Sequence, residues 1–197
     1  AMANAQDVIK IGIFEPMTGS YAGGGEMEME GFALANELYP EVLGAKVELV
    51  VGDSKSDKVE ASNAAASLVN AGVAAVLGSY SSGLSLSGAD VFAQAGVPAL
   101  TATSTNPMVT MDSEWYGRIC FIDPFQGTML ARYAVEQGYK KIAVIREIES
   151  EYAEMLGRLN AIELVAFKND CEVLTTEQLR AEYGLDGRVR PTWPSKN

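Results

Sequence analysis

The sequence predicts a doubly wound α/β fold, in which helices cover both faces of a parallel sheet. Short β-branched runs alternate with longer segments of helical periodicity along most of the chain. Several of the short runs are apolar at every position, which is typical of parallel strands buried on both sides. These two observations predict a β-α-β-α-β-α-β series joined by right-handed crossovers.

Seven runs are predicted as strands because they are apolar, rich in β-branched residues and too short for helices. Glycine, proline or polar residues border most of them, which marks their ends. In chain order they are Val8–Phe14, Lys46–Val51, Val73–Leu77, Val97–Leu100, Arg118–Phe121, Ile142–Ile145 and Glu172–Leu174.

The first helix is predicted from an apolar stripe with a period of about 3.6 residues. We expect this stripe to be buried against the sheet. The same periodicity places Glu26, Glu28 and Glu30 on the polar face, where we expect them to be solvated. The residues of the stripe are Met27, Gly31, Leu34, Ala35 and Leu38.

Two signals mark the beginnings of later helices. Asp57 followed by Glu60 resembles a capping box, which predicts a helix start at this point. Asp123 followed by Pro124 combines a capping carboxylate with proline at the first helical position. The βα alternation resumes after Asp123, so this dipeptide is also the best candidate for a domain boundary.

Composition excludes several functional classes for these 197 residues. The chain has 26 acidic and 15 basic side chains and a formal net charge of −11, which argues against a nucleic-acid partner. It has no histidine, the commonest general base and metal ligand, and no GxSxG motif, so neither an enzyme nor a metal site is expected. Cys120 and Cys171 are too far apart for a CxxC site and are either free thiols or one disulfide. No apolar run approaches about 18 residues, the length of a membrane span.

Three polar segments follow predicted strands: Thr18–Gly25, Ser79–Gly83 and Thr101–Pro107. In an open α/β sheet, the carboxyl ends of the strands and the helix N-termini meet at one edge, where ligands bind. These segments are rich in hydroxyl groups and backbone donors and carry no charge. They therefore favour the binding of an anionic group.

Each segment also has a simpler interpretation, and for Thr101–Thr105 it is a strand end whose hydroxyl groups are already satisfied. Ser82 alone is more often a helix N-cap than a ligand contact. Gly23–Gly25 lacks the spacing of dinucleotide and P-loop motifs, and is more often a flexible turn than a phosphate cradle. Asp53 more often caps a turn than accepts a phosphoryl group or binds a metal. A stand-alone flavodoxin-like or response-regulator-like domain, with Asp53 or the glycine segment as its chemical centre, is the alternative function.

Three stretches together resemble one family: IKIGIFEPMTGSYAGGGEMEMEGFALANE, VGDSKSD and AVLGSYSSGLSLSGADVFAQAGVPALTATSTNP. The chain resembles the periplasmic branched-chain amino acid (Leu/Ile/Val) binding proteins, the substrate-binding subunits of ABC transporters. FIDPFQGTMLARYAVEQGYKKIAVI is similar to the crossing into the second lobe of that family. The resemblance covers residues 7 to 177 and is most specific up to Asp123–Gln126.

The resemblance implies a type I periplasmic binding fold, a two-lobed clamp that closes on a free amino acid and needs no cofactor. It divides the chain into an N-terminal ligand-binding lobe (1–121), a partial second lobe (122–177) and an unmatched tail (178–197). It also implies a partner, the membrane permease of an ABC transporter. We expect a location in the periplasm or on the extracellular face, free or as a tethered lipoprotein, after removal of a signal peptide.

The family's ligand contacts map onto individual positions of this sequence. By resemblance, the Ser82 hydroxyl donates to the ligand α-carboxylate. Backbone groups of Thr103 and Ser104, with Thr105, bind the carboxylate and the α-ammonium. The second lobe supplies an aromatic residue, Tyr152. Where some members have an aromatic wall for the ligand side chain, this sequence has Gly24, and Tyr21 is the candidate replacement.

Length is the main departure, because family members are about twice as long. The sequence stops after the second strand of the second lobe, which leaves sheet edges and apolar faces uncovered. We therefore expect either a truncated half that does not function alone or a homodimer formed by exchange of elements.

Overall fold

In the computed structural model, the described residues are 8–111, 113–143 and 170–174. Contacts within the chain divide it into two compact units, Ala1–Asp123 and Pro124–Asn197. The division thus lies after Asp123, the position at which the sequence signals a boundary.

The first unit is built on a six-stranded sheet with the order β2-β3-β1-β4-β5-β6. Neighbouring strands are parallel, except for the antiparallel pair of β2 and β3. This arrangement confirms the predicted doubly wound α/β fold. The strands are β1 (Val8–Glu15), β2 (Glu41–Val42), β3 (Ala45–Asp53), β4 (Ala75–Gly78), β5 (Ala99–Thr101) and β6 (Tyr116–Arg118).

Three helices connect these strands: α1 (Ala22–Leu38), α2 (Lys58–Asn70) and α3 (Ser82–Ala95). A single 3-10 turn, Pro107–Val109, follows β5. From β1 the chain crosses in one direction to β3 and then in the other direction to β4 and β5. Right-handed crossovers therefore place α1 on one face of the sheet and α2 with α3 on the other. As predicted, α2 begins after Asp57, whose carboxylate accepts hydrogen bonds from the Val59 and Glu60 N–H groups.

Two strands differ most from the prediction, while β4 and β5 begin two residues later than expected. Instead of the fifth predicted strand, Arg118–Phe121, the structure has a strand at Tyr116–Arg118. This strand begins two residues earlier than predicted because it pairs with Ala99–Thr101. Ile119 and Phe121 are instead exposed. The two-residue strand β2 was not predicted, because it is too short to show a period. It is held in a hairpin with β3 by Leu43 and Gly44, both with positive φ.

The core of this unit lies between the sheet and the pair α2–α3. Phe14 from β1 meets Phe92 from α3 edge to face, with ring centroids 5.3 Å apart. Small residues on the helices let them approach the sheet closely. On α2 the residues that face the core are alanines and Leu68, whereas Val59 is exposed. The fully buried apolar residues of this face include Phe14, Ala61, Ala65, Leu68, Val76 and Phe92.

The prediction of a buried stripe on the first helix is wrong. Met27, Leu34 and Leu38 are 67%, 56% and 64% exposed. The buried residues of α1 are Gly24 and Gly25, both in its first turn. The helix therefore packs through its N-terminal end, and no described residue covers the apolar stripe along the rest of its length.

The second unit is smaller. It contains α4 (Asp123–Glu136), which begins at the predicted Asp123, and two paired strands, β7 (Lys141–Ala143) and β8 (Glu172–Leu174). The two strands are parallel, with Ile142 opposite Val173. Residues 144–145 of the predicted strand, Tyr152 and the tail 178–197 lie outside the described residues. Within the described part of the chain, no helix has the length and apolarity of a membrane span. Neither cysteine is in a disulfide.

Candidate functional site

The three predicted segments come together at the carboxyl edge of the six-stranded sheet. The Thr103 hydroxyl oxygen lies 3.0 Å from the carbonyl oxygen of Tyr80. The Asn106 N–H donates to the Ser82 hydroxyl oxygen at 3.2 Å. The Tyr80 ring lies directly against Gly24, at a distance that leaves no room for a Cβ atom. These contacts confirm that the segments converge.

Buried hydroxyl groups hold two of the segments together. The Ser79 carbonyl accepts hydrogen bonds from the Ser104 hydroxyl at 2.8 Å and from the Thr101 hydroxyl at 3.0 Å. The Ser85 hydroxyl lies 2.8 Å from that of Ser104 and accepts from the Ser79 N–H. Because all four residues are fully buried, these bonds satisfy backbone groups that would otherwise be costly to bury. The network gives the edge a fixed shape.

Arg118, the last residue of β6, holds the third segment in place through hydrogen bonds to its backbone. Its guanidinium donates to the carbonyl oxygens of Ser104 at 2.7 Å, Asn106 at 2.8 Å and Pro107 at 3.1 Å. A planar group with five donors suits several carbonyls at once. Sequence reasoning placed Arg118 in a strand and missed this role. The sequence offered no signal for it, because the predicted strand Arg118–Phe121 put this residue at the opposite end of the strand.

Ser82 is the first residue of α3 and is 3% exposed. Its N-cap interpretation is wrong, because the N-cap residue is Ser81, which makes no capping hydrogen bond through its side chain. The Ser82 oxygen accepts from Asn106, so its proton remains available to donate. The first turn of α3 carries no acidic residue. The helix therefore presents uncapped N–H groups and the positive end of its dipole beside the third segment.

The three residues of the third segment are placed differently. Thr103 is exposed, and its N–H is directed at the Thr101 hydroxyl at 3.3 Å. Ser104 is fully buried: its N–H donates to Thr101, and its carbonyl accepts from Arg118. Thr105 is half-buried, and its carbonyl accepts from the Asp123 N–H at 3.0 Å. The segment is therefore anchored through Ser104, and Thr103 and Thr105 flank that anchor.

Two aromatic side chains border the same edge. Tyr21 and Tyr80 are 41% and 38% exposed, and their ring centroids are 6.5 Å apart. Tyr21 was a candidate from the sequence, whereas Tyr80 was missed. The signal for Tyr80 was a lone aromatic residue between serines, directly after a strand. The Tyr80 ring occupies the space above Gly24. The aromatic surface at this position is therefore contributed by the loop between β4 and α3.

The glycines at positions 23 to 25 belong to α1 and do not form a turn. A Cβ atom on Gly24 would meet the Tyr80 ring, and one on Gly25 would collide with the carbonyl of Pro16. The interpretation as a flexible turn was therefore wrong. The glycines allow close approach of the helix end to its neighbours.

Asp53 ties the first segment to the loop after β3. One carboxylate oxygen accepts from the N–H groups of Met17 and Lys55, at 2.9 and 2.8 Å, and the other from the Thr18 hydroxyl at 2.8 Å. Partial burial opposes ionisation, but these hydrogen bonds outweigh it and lower the pKa of Asp53. The turn-capping interpretation is confirmed by the Lys55 contact. No metal-binding cluster occurs among the described residues.

Two carboxyl groups lie beneath the site. Glu15, the last residue of β1, is fully buried, and its Oε2 accepts from the Tyr80 N–H at 2.8 Å. Glu28 on α1 was expected to be solvated, but it is half-buried and its Oε1 accepts from the Thr103 hydroxyl. Burial, followed by the charge of Glu28, raises the pKa of Glu15 to about 9. The prediction for Glu28 failed because helical periodicity does not show that a loop folds over the end of the helix.

Comparison with known proteins identifies relatives of one kind. The family model described as "Periplasmic binding protein" matches residues 8–178. Leu/Ile/Val-binding protein homolog 2 of Brucella abortus is 31% identical over 145 residues, 71% of this chain and 39% of its own length. A leucine-binding protein of Thermotoga maritima superposes with a TM-score of 0.78 at 35% identity, over 89% of this chain and 52% of that one.

A second structure extends the range of ligands among the relatives. A solute-binding protein of an ABC transporter from Rhodopseudomonas palustris, in complex with 4-hydroxybenzoate, has a TM-score of 0.75 at 26% identity. The alignment covers 85% of this chain and 45% of that one. The chain thus spans about half the length, or less, of each of these three relatives.

Proposed function

We propose that the N-terminal unit of this chain forms half of a binding site for the carboxylate of a small amino acid. The chain belongs to the periplasmic binding protein family, and this membership is the starting point of the proposal. Binding is non-covalent, and the protein acts as the solute-binding component of an ABC transporter. The branched-chain amino acids are the first candidates, since two of the compared relatives are named for leucine or for Leu/Ile/Val.

The observation that carries this proposal is the position of Ser82. Its hydroxyl oxygen is fixed by the Asn106 N–H at 3.2 Å, so the hydroxyl lies beside the residue that follows Thr105. A carboxylate at this point would accept from Ser82 and from uncapped N–H groups of the first turn of α3. Charge-assisted hydrogen bonds of this kind are stronger than those between neutral groups.

The other candidate residues take supporting roles. Thr103 and Thr105 lie on either side of the anchor at Ser104 and are proposed to contact the carboxylate and the ammonium. Ser104 supports them from within, since its backbone groups are already bonded to Thr101 and Arg118. Tyr21, together with Tyr80, is proposed as the wall for the ligand side chain. Tyr152, outside the described residues, remains a proposal from the family resemblance.

Ligand class is tested directly by titration calorimetry of the 197-residue protein with leucine, isoleucine and valine. 4-Hydroxybenzoate serves as a second carboxylate without an ammonium group, and leucinamide as an amine without a carboxylate. We expect leucine to bind and leucinamide not to bind. Binding of 4-hydroxybenzoate alone would redirect the proposal to aromatic acids, and equal binding of leucine and leucinamide would refute carboxylate capture. The same samples give the solution mass, which tests the expected homodimer.

Replacement of Ser82 by alanine tests the central contact. We expect Ser82→Ala to weaken leucine binding by about 1–3 kcal/mol, since the charged carboxylate loses one donor. The matched control is Ser87→Ala on the same helix, whose hydroxyl donates within the helix to the Gly83 carbonyl at 2.9 Å. It removes a hydroxyl without touching the site. Equal effects of the two variants on the Kd would contradict the assignment.

We also propose that the protein delivers its ligand to a membrane permease. Its proposed location is the periplasm or the extracellular face. Both follow from the family and concern the whole protein. Co-purification of the chain with the transporter's membrane subunits, in the presence and absence of leucine, tests this part separately from ligand binding.

A further inference from the structure

The buried pair Glu15 and Glu28 contacts both loops of the proposed carboxylate site. Glu15 Oε2 accepts from the Tyr80 N–H at 2.8 Å, in the loop between β4 and α3. Glu28 Oε1 accepts from the Thr103 hydroxyl, in the loop after β5. Each carboxyl group thus fixes one loop through one of its two oxygens.

The remaining oxygens of the pair are the unusual feature. Glu15 Oε1 and Glu28 Oε2 are buried and accept no hydrogen bond from a donor among the described residues. The residues that the two carboxyl groups hold, Tyr80 and Thr103, are themselves in contact, with the Thr103 hydroxyl 3.0 Å from the Tyr80 carbonyl oxygen, and each carboxyl group acts on the pKa of the other. An unpaired acceptor on each group cannot be satisfied without a proton, and two neighbouring carboxylates resist ionising together. One proton held between them removes both difficulties.

Among the residues that the structure describes, no cation forms an ion pair with either carboxyl group of the pair. The other titratable groups near the pair are the Tyr116 phenol on β6 and the Cys120 thiol, and the charge of Glu28 acts on both.

The charged groups on neighbouring elements are engaged elsewhere. The Arg118 guanidinium is bonded to loop carbonyls. Asp53, opposite Glu15 in the strand register, directs its carboxylate to Met17, Thr18 and Lys55. Burial raises the pKa of both Glu15 and Glu28, in keeping with a retained proton.

We propose that Glu15 and Glu28 share one proton and act as a single positioning pair for the ligand site. With one proton, the pair carries one negative charge and keeps the Tyr80 and Thr103 donors in place. Loss of that proton at alkaline pH would put two charges beneath a site that binds a carboxylate. Ligand binding then weakens, and this part of the inference rests on the proposed function.

The first experiment needs no ligand and measures the unfolding equilibrium constant of the full chain by urea at a series of pH values. Between the ordinary value of 4.5 and about 9 the folded chain keeps a proton that the unfolded chain has released. Unfolding therefore becomes more favourable as pH rises through this window, by up to about tenfold per pH unit. Glu28→Gln, which can donate an amide N–H to Glu15 and still accept from Thr103, should narrow the pH window of this slope, because it removes the charge of Glu28 but leaves Glu15 buried.

Glu26→Gln and Glu30→Gln are the matched controls, because both residues are exposed on the same helix. They should keep the wild-type slope. If all three variants change the slope equally, or if the wild-type chain has no such slope, the shared proton is refuted.

Infrared spectroscopy of the unmodified chain provides a measurement that does not depend on a variant folding. We expect the carbonyl band of one protonated carboxylic acid at neutral pH, lost as the pH rises past about 9. Absence of that band at neutral pH would overturn the inference.

Leucine titrations separate this inference from the proposed function. We expect the wild-type Kd to increase above about pH 9, and the Kd of Glu28→Gln to change much less. If leucine binds with the same pH dependence in both proteins, the positioning role fails although the function stands. If leucine does not bind at all, the function fails, while the unfolding and infrared results still decide whether the proton is shared.

Discussion

The two helical faces of the N-terminal unit have similar apolar patterns in sequence but are packed very differently. On the α2–α3 face, Leu68 and Phe92 are at most 1% exposed. On the α1 face, Met27 and Leu38 are more than 60% exposed. An apolar stripe thus reveals where a helix can pack, but not whether this chain supplies what packs there.

The largest expected contrast comes from truncating one large side chain on each face. Phe92→Ala should lower the free energy of unfolding by about 3–5 kcal/mol, because it leaves a cavity between Phe14 and Tyr116. Leu34→Ala on α1 should change it by no more than about 0.5 kcal/mol, since the side chain is 56% exposed. Urea unfolding followed by circular dichroism measures both. Similar losses in the two variants would show that the α1 stripe is covered.

Adding a methyl group to a glycine sharpens the same contrast in the opposite direction. In Gly88→Ala the new Cβ atom would lie 2.8 Å from the Phe14 ring, so we expect a loss of about 1–3 kcal/mol. In Gly31→Ala nothing lies within 4 Å of the new atom, and alanine is the better helix former. We expect Gly31→Ala to stabilise the chain by about 0.5–1 kcal/mol. Thermal unfolding distinguishes the two signs, and destabilisation by Gly31→Ala would indicate a crowded α1 face.

The smallest expected difference in unfolding free energy between paired variants concerns the beginnings of the helices. Asp57 caps α2 through its side chain, whereas Tyr21 at the start of α1 forms no such bond. Asp57→Ala should cost about 1 kcal/mol of unfolding free energy, and Asp57→Asn, which can still accept, much less. Equal losses from the two replacements would mean that charge, rather than the capping bond, is what matters at this position.

The sheet and two helix starts could be predicted from local pattern. Asp57 marks the start of α2, because capping is an interaction between residues that are neighbours in sequence, and α4 begins at Asp123. Of the seven predicted strands, the fifth was displaced most. Its exact register depends on Ala99–Thr101 in a distant segment, which a short apolar run cannot specify.

The candidate site could be predicted in part. Ser82 and the segment around Thr105 were assigned to one edge, because parallel strands end together. Arg118, Tyr80 and the Glu15–Glu28 pair were missed. Each of them acts through contacts with residues far away along the chain, such as the Arg118 bond to the Ser104 carbonyl at 2.7 Å.

The amino-acid sequence alone determined the doubly wound α/β class, the helix starts and the uncharged polar loops at one edge, since these follow from periodicity and nearest-neighbour chemistry. Only the tertiary structure decided which apolar stripe is buried and which carboxyl groups lose their water. Burial depends on what lies across space from a residue. Both the exposed α1 stripe and the raised pKa of Glu15 arise in this way.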